Sequence, residues 1–415
     1  MSMNGGASSP ATGISVVCVF NDPSVRRECL DASVHRYAGA ADVEYIPVDN
    51  VDHAFTSAGA ALNYGTSRAR HDVVAFAHQD VFLHSLDRLA EAARFLVEDE
   101  WGMLGACGIL ATGAIRGRMR DRTNLIGRTA PAPVDVDSLD EVLFLVRRDL
   151  ILEHPLTEDP DLAWHAYAVE YGLRMRALGL RVGAMDLAIT HNSLTINMDR
   201  LDIAHQRVGD LYNGDLPVRT TCGTVGGRRQ RWRQLPVVSH HRWRRRWLEE
   251  SLRASCARRV LGLPVVLADI RDDIDLLAFS DSAPLHLVNV DASGAFVGQA
   301  ADELVLSRFG KPVTMRAVAT VADLESVVAS VPAHESILIA DLLIDDLPQL
   351  RRLVSGDHEW LLGLMGRDFW ALRGPAAASP PDIWSLPRAV PLLQGQRRSS
   401  RSDEPRRWRR ALSER

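Results

Sequence analysis

The chain is nearly devoid of lysine, has few cysteines and contains no long hydrophobic run. Lys311 is the only lysine, so arginine supplies almost all of the 48 basic residues. The five cysteines show no Cys-x-x-Cys spacing, so we expect free thiols in a reducing compartment. No apolar stretch approaches the ~20 residues that a membrane-spanning helix needs. Residues 1–12 lack the basic region and apolar core of a signal peptide, and we expect a cytoplasmic protein.

Two glycine-rich phosphate-binding motifs are also absent. Neither Gly-x-Gly-x-x-Gly nor Gly-x-x-x-x-Gly-Lys-Ser/Thr occurs at the turns that follow the predicted strands of the N-terminal half. This argues against a dinucleotide-binding fold and against a P-loop. A nucleotide site in this chain must therefore use side-chain carboxylates and amides.

Length and composition bound the class of protein. With 415 residues the chain has room for two domains, each large enough to bury its own core. A hydrophobic content of 46% and a charged content of 24% are typical of a soluble globular protein. The net charge of −5 argues against a nucleic-acid partner for the chain as a whole.

An apolar run at residues 72–81 stops on the carboxylate of Asp80. The run is rich in Val and Phe and reads as a strand buried on both faces. Ligands collect at the carboxyl ends of such strands in open α/β sheets, and a carboxylate buried there needs a cation or hydrogen-bond donors. We expect a divalent metal that holds a diphosphate. The alternative is an Asp that caps a helix or shapes a turn.

Two earlier segments repeat this arrangement. Residues 14–20 and 43–48 read as strands, and they end in Asn21-Asp22 and in Asp49-Asn50. Helical patterns follow them, from about residue 24 to 37 and from 57 to 69. Alternating strands and helices, with each strand ending in Asn or Asp, predict an α/β fold with a parallel nucleotide-binding sheet.

At this point the chain resembles a known family. Residues 15–21, 48–50, 61–65 and 76–81 are similar to the N-terminal half of the GT-A-fold glycosyltransferases. The likeness is to family 2, in a branch with His-Gln-Asp in place of Asp-x-Asp. Within residues 134–192, the segments 136–148, 164–179 and 189–192 resemble an acceptor-site strand, the helix of the catalytic acidic residue and a metal-binding strand. The resemblance covers about half of the chain.

The resemblance implies a GT-A-like, mostly parallel sheet flanked by helices. The pattern of the C-terminal half, described below, predicts that a second, smaller α/β domain follows. The resemblance also implies a metal-dependent, inverting transfer of a sugar from a nucleotide-diphosphate sugar to a glycan, lipid-linked or protein acceptor. Asp80 and His191 would bind Mn²⁺ or Mg²⁺, and an imidazole ligand suits Mn²⁺ better. The alternative for His191 is a core or capping histidine.

Glu170 would be the general base, at a position where the family usually has Asp. Arg174 follows four residues later, so the alternative is an ion pair on a solvated helix face. Glu158, Asp159 and Asp161 are further candidate bases, or charges of a solvated loop.

Seven further residues would contact the donor or the acceptor. The alternative for the Asx residues among them is ordinary turn chemistry. They are Asn21, Asp22, Asp49, Asn50, Asn63, Asp140 and Glu141.

The C-terminal half has a different character. Residues 228–259 are dense in arginine, with Trp232, Trp243 and Trp247 interspersed. They could dock on anionic lipid headgroups at the inner face of a membrane, bind nucleic acid, or form an interdomain helix. A second α/β pattern follows, with strands at 285–290, 313–318 and 336–340 and a helix from about residue 299. A nucleotide or S-adenosylmethionine could bind at Asp291 or Asp341. An oligomerisation or scaffold module, and so a homo-oligomer, is the alternative.

These observations predict five regions and leave two functions open. The regions are 1–13 (disordered), 14–216 (GT-A-like), 217–280 (connecting), 281–395 (small α/β domain) and 396–415 (basic and disordered). The second function is a non-catalytic, glycosyltransferase-like binding or assembly module. The replacement of a carboxylate by His78-Gln79 and of Asp by Glu170 keeps it open.

Overall fold

A computed structural model describes residues 13–39, 41–192, 199–212, 217–225, 236–262, 265–267, 282–297, 304–306, 311–354, 360–365 and 368–374. The chain forms two compact units. The first comprises Met1–Met119, Gly127–Ile189 and Arg200–Gly226, and the second comprises Arg120–Ile126, Thr190–Asp199 and Gly227–Arg415. Two short segments of the N-terminal half therefore belong to the second unit. The five predicted regions remain predictions.

Residues 13–225 contain short strands and helices. The strands are β1 (Ile14–Phe20), β2 (Val43–Asp49), β3 (Val73–Ala77), β4 (Val81–Leu83), β5 (Trp101–Gly105), β6 (Gly108–Ile109), β7 (Ile115–Arg116), β8 (Met119–Asp121), β9 (Asn124–Ile126), β10 (Val134–Asp135), β11 (Ser138–Leu139), β12 (Leu143–Arg147), β13 (Arg181–Ala184), β14 (Ile189–His191), β15 (Val218–Thr220) and β16 (Gly223–Val225). The helices are α1 (Pro23–Arg26), which continues through a π-helical turn (Arg27–Asp31) into α2 (Ala32–Arg36), α3 (Ala58–Thr66), α4 (Leu86–Glu98), α5 (Arg148–Glu153), α6 (Tyr167–Ala177) and α7 (Leu201–Tyr212).

The main sheet of the first unit has seven strands in the order β10-β13-β5-β12-β3-β1-β2. Five of them run in one direction, and β10 and β12 run in the other. The predicted α/β fold with a mostly parallel sheet is confirmed.

Hydrophobic strands and close-packed helices explain this architecture. All five residues of β3 are buried, as expected for a strand covered on both faces. Helix α3 packs against β1 and β2, and Gly65 allows the close approach, because a Cβ atom there would lie 2.3 Å from Cγ1 of Val17. Helix α4 begins at Ser85, whose hydroxyl accepts a hydrogen bond from the backbone N–H of Arg88.

One predicted boundary is wrong. Strand β3 ends at Ala77, and Asp80 lies in the turn between β3 and β4 rather than at the end of the strand itself. The backbone N–H of Val81 donates to the carbonyl of His78, which closes this turn. The turn still places residues 78–80 beyond the carboxyl end of β3.

The elements described after residue 225 are α8 (Pro236–Leu261), β17 (Val265–Leu267), β18 (Leu285–Val290), β19 (Leu304–Leu306), β20 (Val313–Val318), α9 (Leu324–Ser330), β21 (Ser336–Leu342), α10 (Leu347–Val354), β22 (Trp360–Met365) and β23 (Asp368–Arg373). The strands form a second seven-stranded sheet, in the order β17-β22-β23-β21-β18-β20-β19. Strands 285–290, 313–318 and 336–340 are confirmed as β18, β20 and the start of β21, and these three are parallel. The helix predicted from about residue 299 begins outside the described residues. Among the described residues, no helix combines the length and the apolar character that crossing a membrane requires.

Candidate functional site

Four strand ends meet at one edge of the main sheet of the first unit. Strands β1, β2 and β3 are parallel, so the residues that follow them lie at the same edge. Strand β12 is antiparallel to β3 and pairs Leu143 with Ala77, which brings its first residues to that edge as well. The edge therefore gathers Asn21, Asp22, Asp49, Asn50, His78, Gln79, Asp80, Asp140 and Glu141.

Gln79 holds the end of β1 against the end of β3. Its side-chain Oε1 accepts hydrogen bonds from the backbone N–H groups of Asn21 and Asp22, both at 3.0 Å. Its Nε2 donates to Oδ1 of Asn21 at 2.8 Å. Asp22 in turn caps α1, because its Oδ1 accepts from the backbone N–H groups of Ser24 and Val25. The Gln of the His-Gln-Asp motif thus shapes the site.

Asp49 and Asn50 form a turn after β2. Oδ1 of Asp49 accepts from the backbone N–H of Val51 at 2.9 Å. The buried Asn50 accepts from the N–H of Phe55 at 2.8 Å and donates to its carbonyl at 3.2 Å. The turn chemistry considered as the alternative is present for both residues. Their role in nucleotide recognition stays a prediction.

Asn63 lies in α3 and fastens the loop that precedes α6. Its amide exchanges hydrogen bonds with the backbone N–H and carbonyl of Leu156 and also donates to Oε1 of Glu158 at 3.1 Å. Both the oxygen and the nitrogen of the amide are therefore hydrogen-bonded. A contact between Asn63 and a nucleotide stays a prediction.

His78, Asp80 and His191 could hold a metal ion. One potential ligand atom from each of them lies within 4.8 Å of the others. All three side chains are partly exposed, so an ion could reach them from solvent. His191 is the last residue of β14.

An acidic side chain contacts His191, and an aromatic side chain contacts His78. Nδ1 of His191 lies 3.1 Å from Oδ1 of Asp121, a contact that fixes the orientation of the ring. Nε2 of His78 lies 3.4 Å from the hydroxyl of Tyr167, the first residue of α6. These contacts are typical of groups that orient metal ligands.

Asp140 and Glu141 lie where β12 begins. Asp140 accepts from the backbone N–H of Val142 at 3.0 Å and from the hydroxyl of Thr221. Oε1 of Glu141 is buried, with no hydrogen-bond partner among the described residues. The pKa of Glu141 is raised to about 8, first by burial and then by the Asp140 carboxylate, although the backbone amides of residues 166–168 lower it.

Glu170 lies in the first turn of α6, and both of its carboxylate oxygens are hydrogen-bonded. Arg174 donates to Oε1 and Oε2, each at 3.1 Å, and the hydroxyl of Tyr212 donates to Oε1 at 2.6 Å. The ion pair considered as the alternative is present, but the residue is 5% exposed, so this face is not solvated. Its role as a base stays a prediction.

Comparisons with known proteins give a limited result. No protein-family model matches the chain, and neither does any curated protein. Solved structures that match include a mannosyltransferase from Pyrobaculum calidifontis in complex with GDP-Man and Mn²⁺, with a TM-score of 0.32, 13% identity and coverage of 43% of this chain and 56% of that one. GalNAc-T7 with UDP, GalNAc and Mn²⁺ gives a TM-score of 0.34, 11% identity and coverage of 49% and 48%.

A third match is TarS of S. aureus, residues 1–349, with a TM-score of 0.32, 15% identity and coverage of 49% of this chain and 66% of that one. The match thus spans about half to two thirds of the length of these three chains. At such scores the likeness is partial, and the case for a function rests on the residues of the site.

Sequence reasoning missed several residues at this site. The sequence pattern presents His78 only as a replacement for a carboxylate, although an imidazole is itself a common metal ligand. Asp121, Tyr167 and Tyr212 carry no local signal, because each is identified by a contact with a residue far away in the chain.

Asp291 and Asp341 accept hydrogen bonds from other residues of the second unit. Asp291 accepts from the backbone N–H of Phe296 at 3.0 Å and from Ser293. Asp341 accepts from the backbone N–H of Leu125 at 3.0 Å and from Nδ2 of Asn289 at 2.7 Å. These contacts explain both buried carboxylates without a bound nucleotide.

Proposed function

We propose that the chain is a metal-dependent glycosyltransferase that moves a sugar from a nucleotide-diphosphate sugar to a glycan, lipid-linked or protein acceptor. The observation that carries this proposal is the group His78, Asp80 and His191, whose ligand atoms lie within 4.8 Å of one another. A metal-binding group beside the carboxyl ends of parallel strands is suited to a nucleotide diphosphate.

The three side chains suit Mn²⁺ better than Mg²⁺. Two imidazoles and one carboxylate suit a transition metal with mixed nitrogen and oxygen ligands, whereas Mg²⁺ favours oxygen ligands alone. When bound, such a cation neutralises negative charge on a leaving nucleoside diphosphate. Gln79 keeps the ends of β1 and β3 together around this position.

Two carboxylates are candidates for the base that accepts the proton of the acceptor hydroxyl in an inverting transfer. Glu170 is the one that the resemblance implies, and Arg174 and Tyr212 hold it in one orientation. Glu141 is the second, because its Oε1 has no hydrogen-bond partner among the described residues and its pKa of about 8 suits a general base near neutral pH. Asp140 beside it would contact the sugar or the acceptor.

The decisive experiment measures binding and transfer separately. Isothermal titration of UDP, GDP and dTDP, with and without Mn²⁺, should detect metal-dependent binding that Asp80→Ala removes. Transfer or hydrolysis from a panel of UDP-, GDP- and dTDP-sugars should occur with the wild-type chain. No nucleotide binding and no turnover with any donor would refute the proposal.

Substitution of each carboxylate identifies the base. Glu170→Gln and Glu141→Gln should both leave nucleotide binding intact, and the one that replaces the base should lower the transfer rate by roughly 10²-fold or more. Equal loss of binding and transfer in both variants would mean that neither residue acts as a base.

One observation favours a second function, a non-catalytic glycosyltransferase-like module that binds a glycan or a partner. Both oxygens of Glu170 are engaged by Arg174 and Tyr212, as expected for a structural carboxylate. Metal-dependent nucleotide binding without turnover of any donor would support this function over the enzyme.

A further inference from the structure

Helix α8 carries two exposed leucines on its outer face. Leu248 is 55% exposed and Leu252 is 60% exposed, and their four-residue spacing places them side by side. The face that packs on the second unit is a different one, with Glu250, Ala254 and Ala257 buried. The apolar side chains of the outer face therefore contribute nothing to the core of this unit.

Arginines surround these leucines. Arg244, Arg245 and Arg259 are exposed on the same helix. Glu249 is exposed as well, and it pairs with Arg245 at 3.0 Å. Residues 228–259 contain eleven arginines and two glutamates, in a chain whose net charge is −5. Positive charge is thus concentrated in the segment of the sequence that contains both leucines.

This combination distinguishes among anionic partners. Guanidinium groups bind phosphates of lipids and of nucleic acids alike, but a nucleic acid backbone offers no hydrocarbon for two leucines. An anionic bilayer offers phosphates at its surface and acyl chains a few ångströms below. We propose that α8 lies on the surface of an anionic membrane, with Leu248 and Leu252 inserted at the acyl boundary and the arginines at the headgroups.

The orientation follows from the same residues. The helix lies in the plane of the interface and does not span it, since arginines occur along most of its length. A helix that exposes two leucines among arginines would bind through apolar area and charge together, so both contributions should be measurable. This inference does not depend on the proposed transferase activity.

Flotation of the full-length chain with vesicles tests the proposal. The chain should float with vesicles of phosphatidylcholine mixed with phosphatidylglycerol, and not with phosphatidylcholine alone. The double substitution Leu248→Ser, Leu252→Ser should weaken binding by roughly tenfold or more, because two leucines no longer enter the hydrocarbon. Arg244→Gln with Arg245→Gln should weaken it by roughly fivefold or more for each charge removed.

A matched control is available in the same unit. Leu343 and Ile344 are 50% and 46% exposed, but Asp345 and Asp346 follow them. Leu343→Ser with Ile344→Ser should leave vesicle binding unchanged. Unchanged thermal unfolding midpoints would show that the exposed-site variants fold.

Three results would overturn the proposal. They are no flotation with anionic vesicles, flotation that the Leu248 and Leu252 variant does not weaken, and tighter binding to a DNA or RNA duplex than to anionic vesicles at the same salt concentration. The second would leave only a charge effect, and the third would assign the arginines to nucleic acid. Nucleotide binding at the first unit is measured in parallel, so failure of one proposal is distinguishable from failure of the other.

Discussion

Gln79 shows how one residue can occupy a motif position and serve a different purpose from a metal ligand. Its amide accepts two backbone N–H groups and donates to one side chain, all at the end of β1. A carboxylate at this position could accept the same two N–H groups but could not donate to Asn21. The identity of this residue therefore reflects the shape of the edge as well as its chemistry.

Replacing Gln79 with Ala should destabilise the protein. The backbone N–H groups of Asn21 and Asp22 would lose their acceptor, at a cost of about 1–2 kcal/mol in the free energy of unfolding. Gln79→Glu keeps the acceptor and should cost less. Urea denaturation measures the stability of both variants. Equal stability of Gln79→Ala and wild type would mean that the hydrogen bonds from Gln79 to the end of β1 do not stabilise the fold.

Glu141 should make the stability of the protein depend on pH. Its pKa is about 8 in the folded protein, against the ordinary value of 4.5 that we expect in the unfolded chain. Between these values the folded state binds the proton more tightly than the unfolded state, so the free energy of unfolding should fall as the pH rises from about 4.5 to 8. The slope from this one group is at most about 1.4 kcal/mol per pH unit.

Denaturation over this pH range tests the effect. Glu141→Gln should remove that part of the fall, whereas Glu98→Gln, an exposed carboxylate at the end of α4, should leave it in place. If Glu141 is also the base, the transfer rate should rise with pH up to about 8 in the wild type. A stability profile identical in Glu141→Gln and wild type would show that the carboxyl group titrates normally.

At the scale of elements, the packing of α3 on β1 positions the strand ends. Gly65 contacts Val17 so closely that a Cβ atom would lie 2.3 Å from its Cγ1. Helix α6 contains a second glycine, Gly172, at which an added Cβ would meet its nearest neighbour, Val182, at 3.6 Å. The two buried helical glycines thus differ in the space available for a Cβ atom.

These two glycines should respond oppositely to alanine. Gly65→Ala should destabilise the protein by about 1–3 kcal/mol, because the helix or the strand must shift. Gly172→Ala should stabilise it by about 0.5–1 kcal/mol, since alanine lowers the entropy of the unfolded chain and favours a helix. Thermal or urea denaturation of both variants measures the difference, and a shared sign would contradict this account.

At the scale of the whole molecule, a metal should stabilise the folded chain. Mn²⁺ at about 100 times its dissociation constant should raise the free energy of unfolding by about 2.7 kcal/mol, because the unfolded chain lacks the site. Thermal unfolding with Mn²⁺ and after chelation measures this. Asp80→Ala and His191→Ala should abolish the shift.

Asp121 gives a finer test of the same site. It contacts Nδ1 of His191 at 3.1 Å, so Asp121→Asn should weaken the affinity for Mn²⁺ by roughly 10–100-fold without removing a ligand. Asp137→Asn, in the first unit, is the control and should leave the affinity unchanged. Full Mn²⁺ affinity in Asp121→Asn would mean that Asp121 does not orient the histidine.

Much of the fold follows from local patterns in the sequence. Buried hydrophobic runs define β1, β3, β18 and β21, and Asn or Asp after them marks the edge where polar groups gather, because parallel strands end on the same side of a sheet. The same pattern predicts Asp80 as a metal ligand, and the family resemblance adds His191. The pattern misplaced the end of β3, because a short turn and a new strand at Val81 continue the same apolar pattern.

The sequence by itself determined the α/β class, the strand ends that carry polar residues and the basic character of residues 228–259. Only the tertiary structure decided which side chains meet. Gln79 hydrogen-bonds to the end of β1, Arg174 and Tyr212 donate to Glu170, and one buried oxygen of Glu141 has no hydrogen-bond partner within the described part of the chain. The physical reason is range. Periodicity and turn chemistry act over a few residues, whereas hydrogen bonding and desolvation depend on neighbours that chain folding brings from far away in the sequence.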